Sequence, residues 1–224
     1  MIVTIDGPAG AGKSSIARQV ADRLAFEFLD TGAMYRAVTL GCLRAGIDFD
    51  DVDALEQFAG CLELRWDDQR IFLNGEDVSE EIRQPEVSAA IGRIADLLPL
   101  RTRLSEMQRQ VAEGKDIVTE GRDQGAEVFP DAECKVFLTA SPQTRARRRQ
   151  LQLSETGVNL SIDEILDAQN RRDLEDTTRD VGRLRAADDA IVVNTDCLSS
   201  DEVLQAVLEI IHGVLESRTS KTAS

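Results

Sequence analysis

The sequence has few of the side chains that build metal centres and histidine-dependent active sites. It contains one histidine, one tryptophan, one tyrosine and four cysteines in 224 residues. No two cysteines form a Cys-x-x-Cys pair, and His212 is far from all of them in sequence, so a zinc site is not expected. His212 falls in a C-terminal helical pattern, where packing or exposure is the usual role. The scattered cysteines favour reduced thiols and a cytoplasmic location.

Long apolar runs are also absent. No stretch approaches about 18 residues without a charge, so we expect no membrane span and no membrane partner. Met1 is followed at once by the strand-like segment Ile2-Val3-Thr4-Ile5 and not by a signal peptide. Only five prolines, 42% hydrophobic residues and 30% charged residues indicate a globular chain with one core domain and small inserts.

Basic residues are fewer than acidic residues, and most of them are arginine. Acidic residues number 41 and basic residues 26, which gives a net charge of −15 and disfavours nucleic acid as a partner. Only four of the 26 cations are lysine, and 22 are arginine. The planar fork of arginine fits phosphate in a bidentate manner, although a GC-rich coding bias explains the excess equally well.

Short apolar strands alternate with helical patterns along most of the chain. This alternation predicts an α/β fold with a parallel five-stranded sheet covered by helices on both faces. Between 60 and 80, alternating segments and the Asn74-Gly75 turn signal predict a small β insert. Pro99 is predicted to separate two helices. We expect a core of residues 1–37 and 114–224 with a short lid at 146–180, and an insert at 38–113.

The first strand runs directly into a glycine-rich loop and then a helix. The segment Gly7-x4-Gly12-Lys13-Ser14 is a P-loop, and its context of strand before and helix after makes the motif specific. Backbone amides converge on phosphates there, Lys13 adds a point charge, and the Ser14 hydroxyl is placed to bind Mg²⁺. The predicted ATP-binding residues are Gly7, Pro8, Ala9, Gly10, Ala11, Gly12, Lys13, Ser14 and Ser15.

Arginines follow the predicted strands and crowd the predicted lid. Arg36 and Arg122 lie after strands, and the helix at 142–153 carries four arginines and no acid. A second phosphate-binding region beside the P-loop favours a kinase whose acceptor is itself a phosphate, which needs no general base. A salt-bridge network with acids elsewhere is the alternative for the helix arginines. The chain shows neither an Asn-Lys-x-Asp segment of GTPases nor an Asp-Glu strand end of motors.

Several motifs, taken in order, resemble the bacterial cytidylate kinase family. They are Ile5-Asp6-Gly7-Pro8-Ala9-Gly10-Ala11-Gly12-Lys13-Ser14, Asp30-Thr31-Gly32-Ala33-Met34-Tyr35-Arg36, Asn74-Gly75-Glu76-Asp77-Val78, Glu120-Gly121-Arg122-Asp123, Arg145-Ala146-x-Arg148-Arg149 and Arg172-Asp173 with Asp176 and Arg179. The resemblance covers almost the whole chain. It implies transfer of the γ-phosphate of ATP to CMP or dCMP by a monomer that uses Mg²⁺.

The resemblance also implies roles for individual residues. Arg36 and Arg122 would hold the CMP phosphate, and Thr31 and Tyr35 would line its pocket. Arg101 and Asp123 would read the cytosine, since a carboxylate accepts from its 4-amino group. In the lid, Arg172 and Asp176 would contact sugar and phosphate, while Arg148 and Arg179 would close on the triphosphate. With Lys13, the implied catalytic set is Arg122, Asp123, Arg148, Arg172 and Arg179.

Some positions depart from the family pattern. Glu120 stands where Asp is usual, Gln124 replaces an aliphatic residue and Gly92 falls where a base-contacting Ser is usual. These departures bear on nucleotide preference and turnover. The alternatives to a CMP kinase are another small P-loop kinase, for UMP or a small metabolite, and a nucleotide-binding switch module that transfers nothing. Arg122 could also be a structural ion-pair residue, and Asp123 could cap the following helix or order Mg²⁺.

Overall fold

The structure is a computed structural model that describes residues 1–67, 69–155 and 157–222. It forms two compact units. The first unit comprises Met1–Phe28 and Lys115–Ser224, and the second comprises Leu29–Gly114. The functional boundaries predicted above, with the core at 1–37 and 114–224, remain a prediction, since the compact units change at slightly different positions.

The first unit carries a five-stranded sheet and the helices around it. The strand β2 (Glu27–Asp30) begins in this unit and ends in the second. The other elements are β1 (Ile2–Asp6), α1 (Lys13–Leu24), β6 (Ile117–Gly121), β7 (Cys134–Thr139), α6 (Pro142–Glu155), α7 (Ile162–Thr178), β8 (Ile191–Asn194) and α8 (Ser200–Thr222). The strand order is β2-β6-β1-β7-β8. This confirms the predicted parallel five-stranded sheet.

The central strand β1 fixes where the P-loop begins. It pairs in parallel with β6, Asp6 opposite Gly121, and with β7, Asp6 opposite Phe137. Its residues are buried from Val3 onward because both faces of the sheet are covered. The carboxyl end of β1 therefore lies beside the carboxyl ends of β6 and β7, which is where ligands bind in open parallel sheets.

Helices α1 and α8 pack together and share the main core of the first unit. Ile16 and Val20 from α1 meet Val207 and Ile211 from α8 in one buried cluster with the sheet. The start of α8 is fixed by Ser199, whose hydroxyl accepts from the Glu202 amide while the Glu202 carboxylate accepts from Ser199. This reciprocal pair of hydrogen bonds is a capping box.

The second unit contains helices and a small antiparallel sheet. Its elements are α2 (Thr31–Arg44), α3 (Val52–Cys61), β3 (Leu64–Asp67), β4 (Arg70–Leu73), β5 (Glu76–Asp77), α4 (Pro85–Ala95) and α5 (Leu98–Ala112). Strands β3, β4 and β5 pair in that order, and the Asn74-Gly75 turn joins the last two. Helix α2 is buried along most of its length because α3, α4, α5 and β4 pack around it.

The predicted pair of helices is confirmed, but the break lies at 96–97 and not at Pro99. Pro99 lies in the first turn of α5, where its missing amide costs nothing. Helix α3 was not predicted. A π-helical turn at Gln124–Val128, after β6, was not predicted either. Within the described residues, no helix combines the length and the apolar composition that crossing a bilayer requires.

Candidate active site

The P-loop connects the end of β1 to the start of α1. At Gly7 the backbone φ is +147°, and a Cβ there would lie 2.0 Å from the carbonyl oxygen of Leu138 in β7. Only glycine fits this close approach. Gly12 caps α1 with φ +91°, so the first amides of the helix point into the loop. Ser15 lies in the first turn and accepts from the Gln19 side chain at 3.2 Å.

Lys13 is held inside the loop. Its Nζ donates to the carbonyl oxygen of Pro8 at 2.9 Å, and the residue is 5% exposed. Burial, together with the nearby guanidinium groups of Arg122 and Arg172, lowers the pKa of Lys13 to about 7. A buried ammonium that is destabilised in this way gains from an anionic ligand. The structure therefore brings three of the predicted phosphate-handling cations together.

The Ser14 hydroxyl points at an acidic side chain. Its Oγ donates to Glu120 Oε1 at 2.7 Å, and Glu120 is buried at the end of β6. A hydroxyl and a carboxylate oxygen are the hard oxygen donors that Mg²⁺ accepts in phosphate sites. Sequence reasoning noted Glu120 only as a departure from a family pattern. Its contact with Ser14 depends on the register of β6 beside β1.

Asp176 joins two of the predicted phosphate-binding arginines. Its Oδ2 accepts from Arg122 Nε at 3.0 Å, and its Oδ1 pairs with Arg179 Nη1 at 2.8 Å. The Asp176 side chain is 4% exposed, while that of Arg122 is 22% exposed. Arg122 therefore forms the ion pair considered as an alternative, and it also lies near Lys13. This carboxylate keeps both guanidinium groups in one orientation.

Asp123 begins the π-helical turn with its backbone and not with its side chain. Its carbonyl oxygen accepts from the amides of Ala126, Glu127 and Val128, and its side chain makes no capping hydrogen bond. The helix-cap role considered for the carboxylate is therefore not observed. Asp123 is 6% exposed, and its charge helps to raise the pKa of Asp6.

The arginines of α6 fall into two different environments. Arg145 is buried, and it donates to Ala9 O at 3.0 Å and to Asp173 Oδ2 at 2.5 Å. For this residue, the salt-bridge alternative is what the structure shows. Arg148 donates to the carbonyl and hydroxyl oxygens of Thr195 at 2.7 and 2.9 Å.

The remaining predicted acceptor-binding residues belong to the second unit. Arg36 Nη1 donates to Ser88 Oγ at 2.7 Å. The Arg101 guanidinium lies 5.6 Å from the centroid of the Tyr35 ring and donates to Ala95 O at 3.1 Å. Thr31, at the start of α2, is buried. The structure thus brings Tyr35 and Arg101 into contact with each other.

A strand–glycine loop–helix unit at the carboxyl edge of a parallel sheet, with a buried lysine among arginines, defines a P-loop phosphate-binding protein. Residues 3–213 match the family model described as cytidylate kinase. The chain belongs to the cytidylate kinase family.

Individual relatives agree with the family match. The chain is 60% identical to a cytidylate kinase of Rhodopirellula baltica, over all of this chain and 98% of the relative. It is 46% identical to a cytidylate kinase of Mycobacterium leprae, over 94% of this chain and 95% of the relative. Among solved structures, an uncharacterized protein from Eubacterium ventriosum superposes with a TM-score of 0.51 at 12% identity. That superposition covers 95% of this chain and 98% of the other, and it shows the fold alone.

Proposed function

We propose that this chain is an ATP-dependent kinase that transfers the γ-phosphate of ATP to CMP or dCMP, giving ADP and CDP or dCDP. The observation that carries the proposal is the match to the cytidylate kinase family over nearly the whole length, with a relative at 60% identity. The P-loop geometry supports the donor side of the reaction, because glycine amides and Lys13 converge where phosphates bind.

The P-loop residues would hold the phosphates of ATP. The amides at the start of α1 donate to phosphate oxygens, and Lys13 neutralises charge that builds up on the transferred group. Ser14 and Glu120 would hold Mg²⁺, since their oxygens already lie 2.7 Å apart. When bound, the ion would neutralise part of the negative charge of the ATP phosphates.

The acceptor would be recognised through its phosphate and its base. Arg36 and Arg122 are proposed to bind the phosphate of CMP, with Thr31 and Tyr35 beside it. Asp123 would accept from the cytosine 4-amino group, and Arg101 would donate to O2 or N3. Uracil has an oxygen in place of the amino group. This oxygen and the Asp123 carboxylate are both acceptors, so they would form no hydrogen bond.

Residues of α6, α7 and the following loop would complete the site. Arg172 and Asp176 are proposed to contact sugar and phosphate, and Arg148 and Arg179 the transferring group. The nucleophile is an ionised phosphate oxygen, so the protein needs to position and neutralise but not to remove a proton. The pairing of Arg122 and Arg179 with Asp176 supports this assignment, because it orients two cations before substrates bind.

We also infer that the enzyme is a cytoplasmic monomer. The four cysteines are all free in the structure, which is the state that a reducing compartment maintains. Sedimentation equilibrium of the purified protein tests the monomer, and a dimer mass would overturn it.

The proposal is tested by measuring ADP formation from Mg-ATP with CMP, dCMP, UMP, AMP, GMP and no acceptor. We expect turnover with CMP and dCMP and little with the others. Lys13→Ala should abolish transfer while the protein stays folded, and Lys115→Ala, which removes an exposed lysine, should keep it. Turnover confined to UMP would overturn the base assignment, and ATP binding without transfer to any acceptor would favour a switch module.

A further inference from the structure

Strand β1 is joined to the π-helical turn through the carboxylate of Asp6. The two carboxylate oxygens accept separately from the backbone amides of Gln124, at 2.9 Å, and Gly125, at 2.7 Å. Asp6 is 4% exposed, so water does not compete for these bonds. One side chain at the end of β1 therefore fixes two consecutive points of a loop that is far away in sequence.

The fixed turn directly follows two residues proposed to bind the acceptor. Arg122 and Asp123 precede Gln124, and the Asp123 carbonyl accepts from the amides of Ala126, Glu127 and Val128 at 3.2, 2.8 and 3.4 Å. The Asp123 carbonyl oxygen therefore accepts the hydrogen bonds that hold the turn. A shift of its amides away from Asp6 would carry the Arg122 and Asp123 side chains with it.

A second contact between the same two segments is purely steric. A Cβ on Gly125 would lie 2.7 Å from the Thr4 hydroxyl oxygen, closer than real side chains approach. Thr4 is fully buried in β1, and within the described part of the chain its hydroxyl oxygen has no hydrogen-bond partner. The turn therefore lies against β1 as closely as glycine allows, within bonding distance of Asp6.

We propose that Asp6 is a positioning residue for the acceptor: it anchors the turn that presents Arg122 and Asp123 to CMP, without touching either substrate. This inference rests on the proposed function. The hydrogen bonds of the Asp6 carboxylate described above go to the turn, and its link to the P-loop is one of charge, since it raises the pKa of Lys13. Lys13 is held by a separate contact, with Pro8.

The direct test is Asp6→Asn. An amide side chain has one oxygen to accept with, and its NH₂ group would face the second backbone amide as donor against donor. Measured above pH 7, where Asp6 is ionised, the KM for CMP should rise about tenfold or more and the preference for CMP over UMP should fall, because a small misplacement of substrate-binding groups has large effects. The KM for ATP should change clearly less than the KM for CMP, because Asp6 acts on Lys13 only through its charge. Asp22→Asn, the same change on an exposed face of α1, is the matched control.

A second pair of variants perturbs the turn without changing Asp6. Gly125→Ala places a methyl group against the Thr4 hydroxyl and should raise the KM for CMP in the same way. Thr4→Ala removes that hydroxyl and leaves the Lys135 side chain, which a Cβ would meet at 3.2 Å, so the double variant Thr4→Ala/Gly125→Ala should recover part of the lost CMP affinity. Thr4→Ala alone is the control. This rescue keeps the inference testable if Asp6→Asn does not fold.

The wild-type assay separates the two proposals. A wild-type protein that transfers nothing to CMP overturns the proposed function. A wild-type protein that phosphorylates CMP, with Asp6→Asn and Gly125→Ala both leaving its KM for CMP unchanged, overturns the positioning role alone. An equal rise in the KM for ATP also overturns it, since that result assigns Asp6 to the P-loop. We also expect faster hydrogen exchange at the Gln124 and Gly125 amides of Asp6→Asn than of the wild type. Unchanged exchange at both amides would show that Asp6 does not anchor the turn.

Discussion

Asp176 lies between two arginines and has almost no contact with solvent. Its two oxygens take separate partners, Arg122 and Arg179, so its charge offsets two guanidinium groups in a partly buried place. Removing one member of such a group leaves the others without charge compensation. The residue therefore contributes to stability as well as to the proposed chemistry.

We predict that Asp176→Asn lowers the free energy of unfolding by about 1–3 kcal/mol, as expected for a lost charged hydrogen bond. Urea denaturation without nucleotide measures this change. Glu175→Gln, an exposed neighbour on α7, should change stability much less. Equal stability of the Asp176 variant and the wild type would show that neither arginine depends on this carboxylate.

Asp6 makes the stability of the protein depend on pH. Burial raises the pKa of Asp6 to about 7 from 3.8, and the Gly125 and Gln124 amides oppose the rise only in part. The folded protein then keeps a proton that the unfolded chain has lost, so this contribution is complete below the unfolded pKa and is lost as the pH rises to about 7.

We predict that wild-type stability, measured relative to Asp6→Asn, falls by up to about 1.4 kcal/mol per pH unit between about pH 5 and 7. Above that range the difference should level off. Urea unfolding of both proteins across the pH series measures it. A difference that grows as the pH rises would mean that the two amides outweigh burial and that the pKa of Asp6 is depressed.

The sequence was informative about residues whose role is local. The P-loop residues follow from a short motif between a strand and a helix, and the predicted order of the two was confirmed. Asp6 and Glu120 gave no such signal. Their partners, Gly125 and Ser14, are more than a hundred residues away and meet them only because β1 and β6 pair in one register.

At the scale of elements, helix α6 contacts the P-loop through the side chain of Arg145. Arg145 is 3% exposed and bonds to the carbonyls of Ala9 and Ala140 and to Asp173 of α7. A run of arginines without acids on one helix suggested an anionic ligand. For Arg145 the anion is instead a carboxylate from the next helix, a pairing that spacing within α6 cannot predict.

We predict that Arg145→Met raises the KM for ATP several-fold, because the loop loses its bond at Ala9, while the KM for CMP changes less. Steady-state kinetics with each substrate varied in turn measures both. Arg147→Met removes an exposed arginine from the same helix and serves as the control. An unchanged KM for ATP would show that the P-loop keeps its shape without this bond.

The elements that the sequence missed have physical reasons for being missed. The π-helical turn at Gln124–Val128 is held by tertiary bonds, to Asp6 and between the side chains of Thr119 and Gln124, and not by local propensity. Pro99 was predicted to separate two helices, and two helices are present, but the break lies at 96–97 because proline is equally suited to the first turn of the second helix. The long amphipathic helices and buried strands were predicted because their pattern is repeated over many residues.

At the scale of the whole molecule, the charge excess and the phosphate site act in opposite directions. The net charge of −15 repels nucleotides at long range, whereas Lys13 with the nearby Arg122 and Arg172 favours them at short range. A ligand that binds only the folded chain stabilises it in proportion to its affinity. Stability with and without nucleotide therefore reports on the phosphate site through the whole fold.

We predict that ADP at about one hundred times its Kd raises the Tm by about 5–10 °C, since such binding contributes about 2.7 kcal/mol and each kcal/mol shifts the Tm of a chain this size by about 2–4 °C. Differential scanning fluorimetry measures the shift. Lys13→Ala at the same ADP concentration should shift much less, because it lacks the buried ammonium that is proposed to bind the phosphates. An equal shift in Lys13→Ala would show that ADP binding does not depend on the Lys13 ammonium. The bound nucleotide would then lie away from the P-loop.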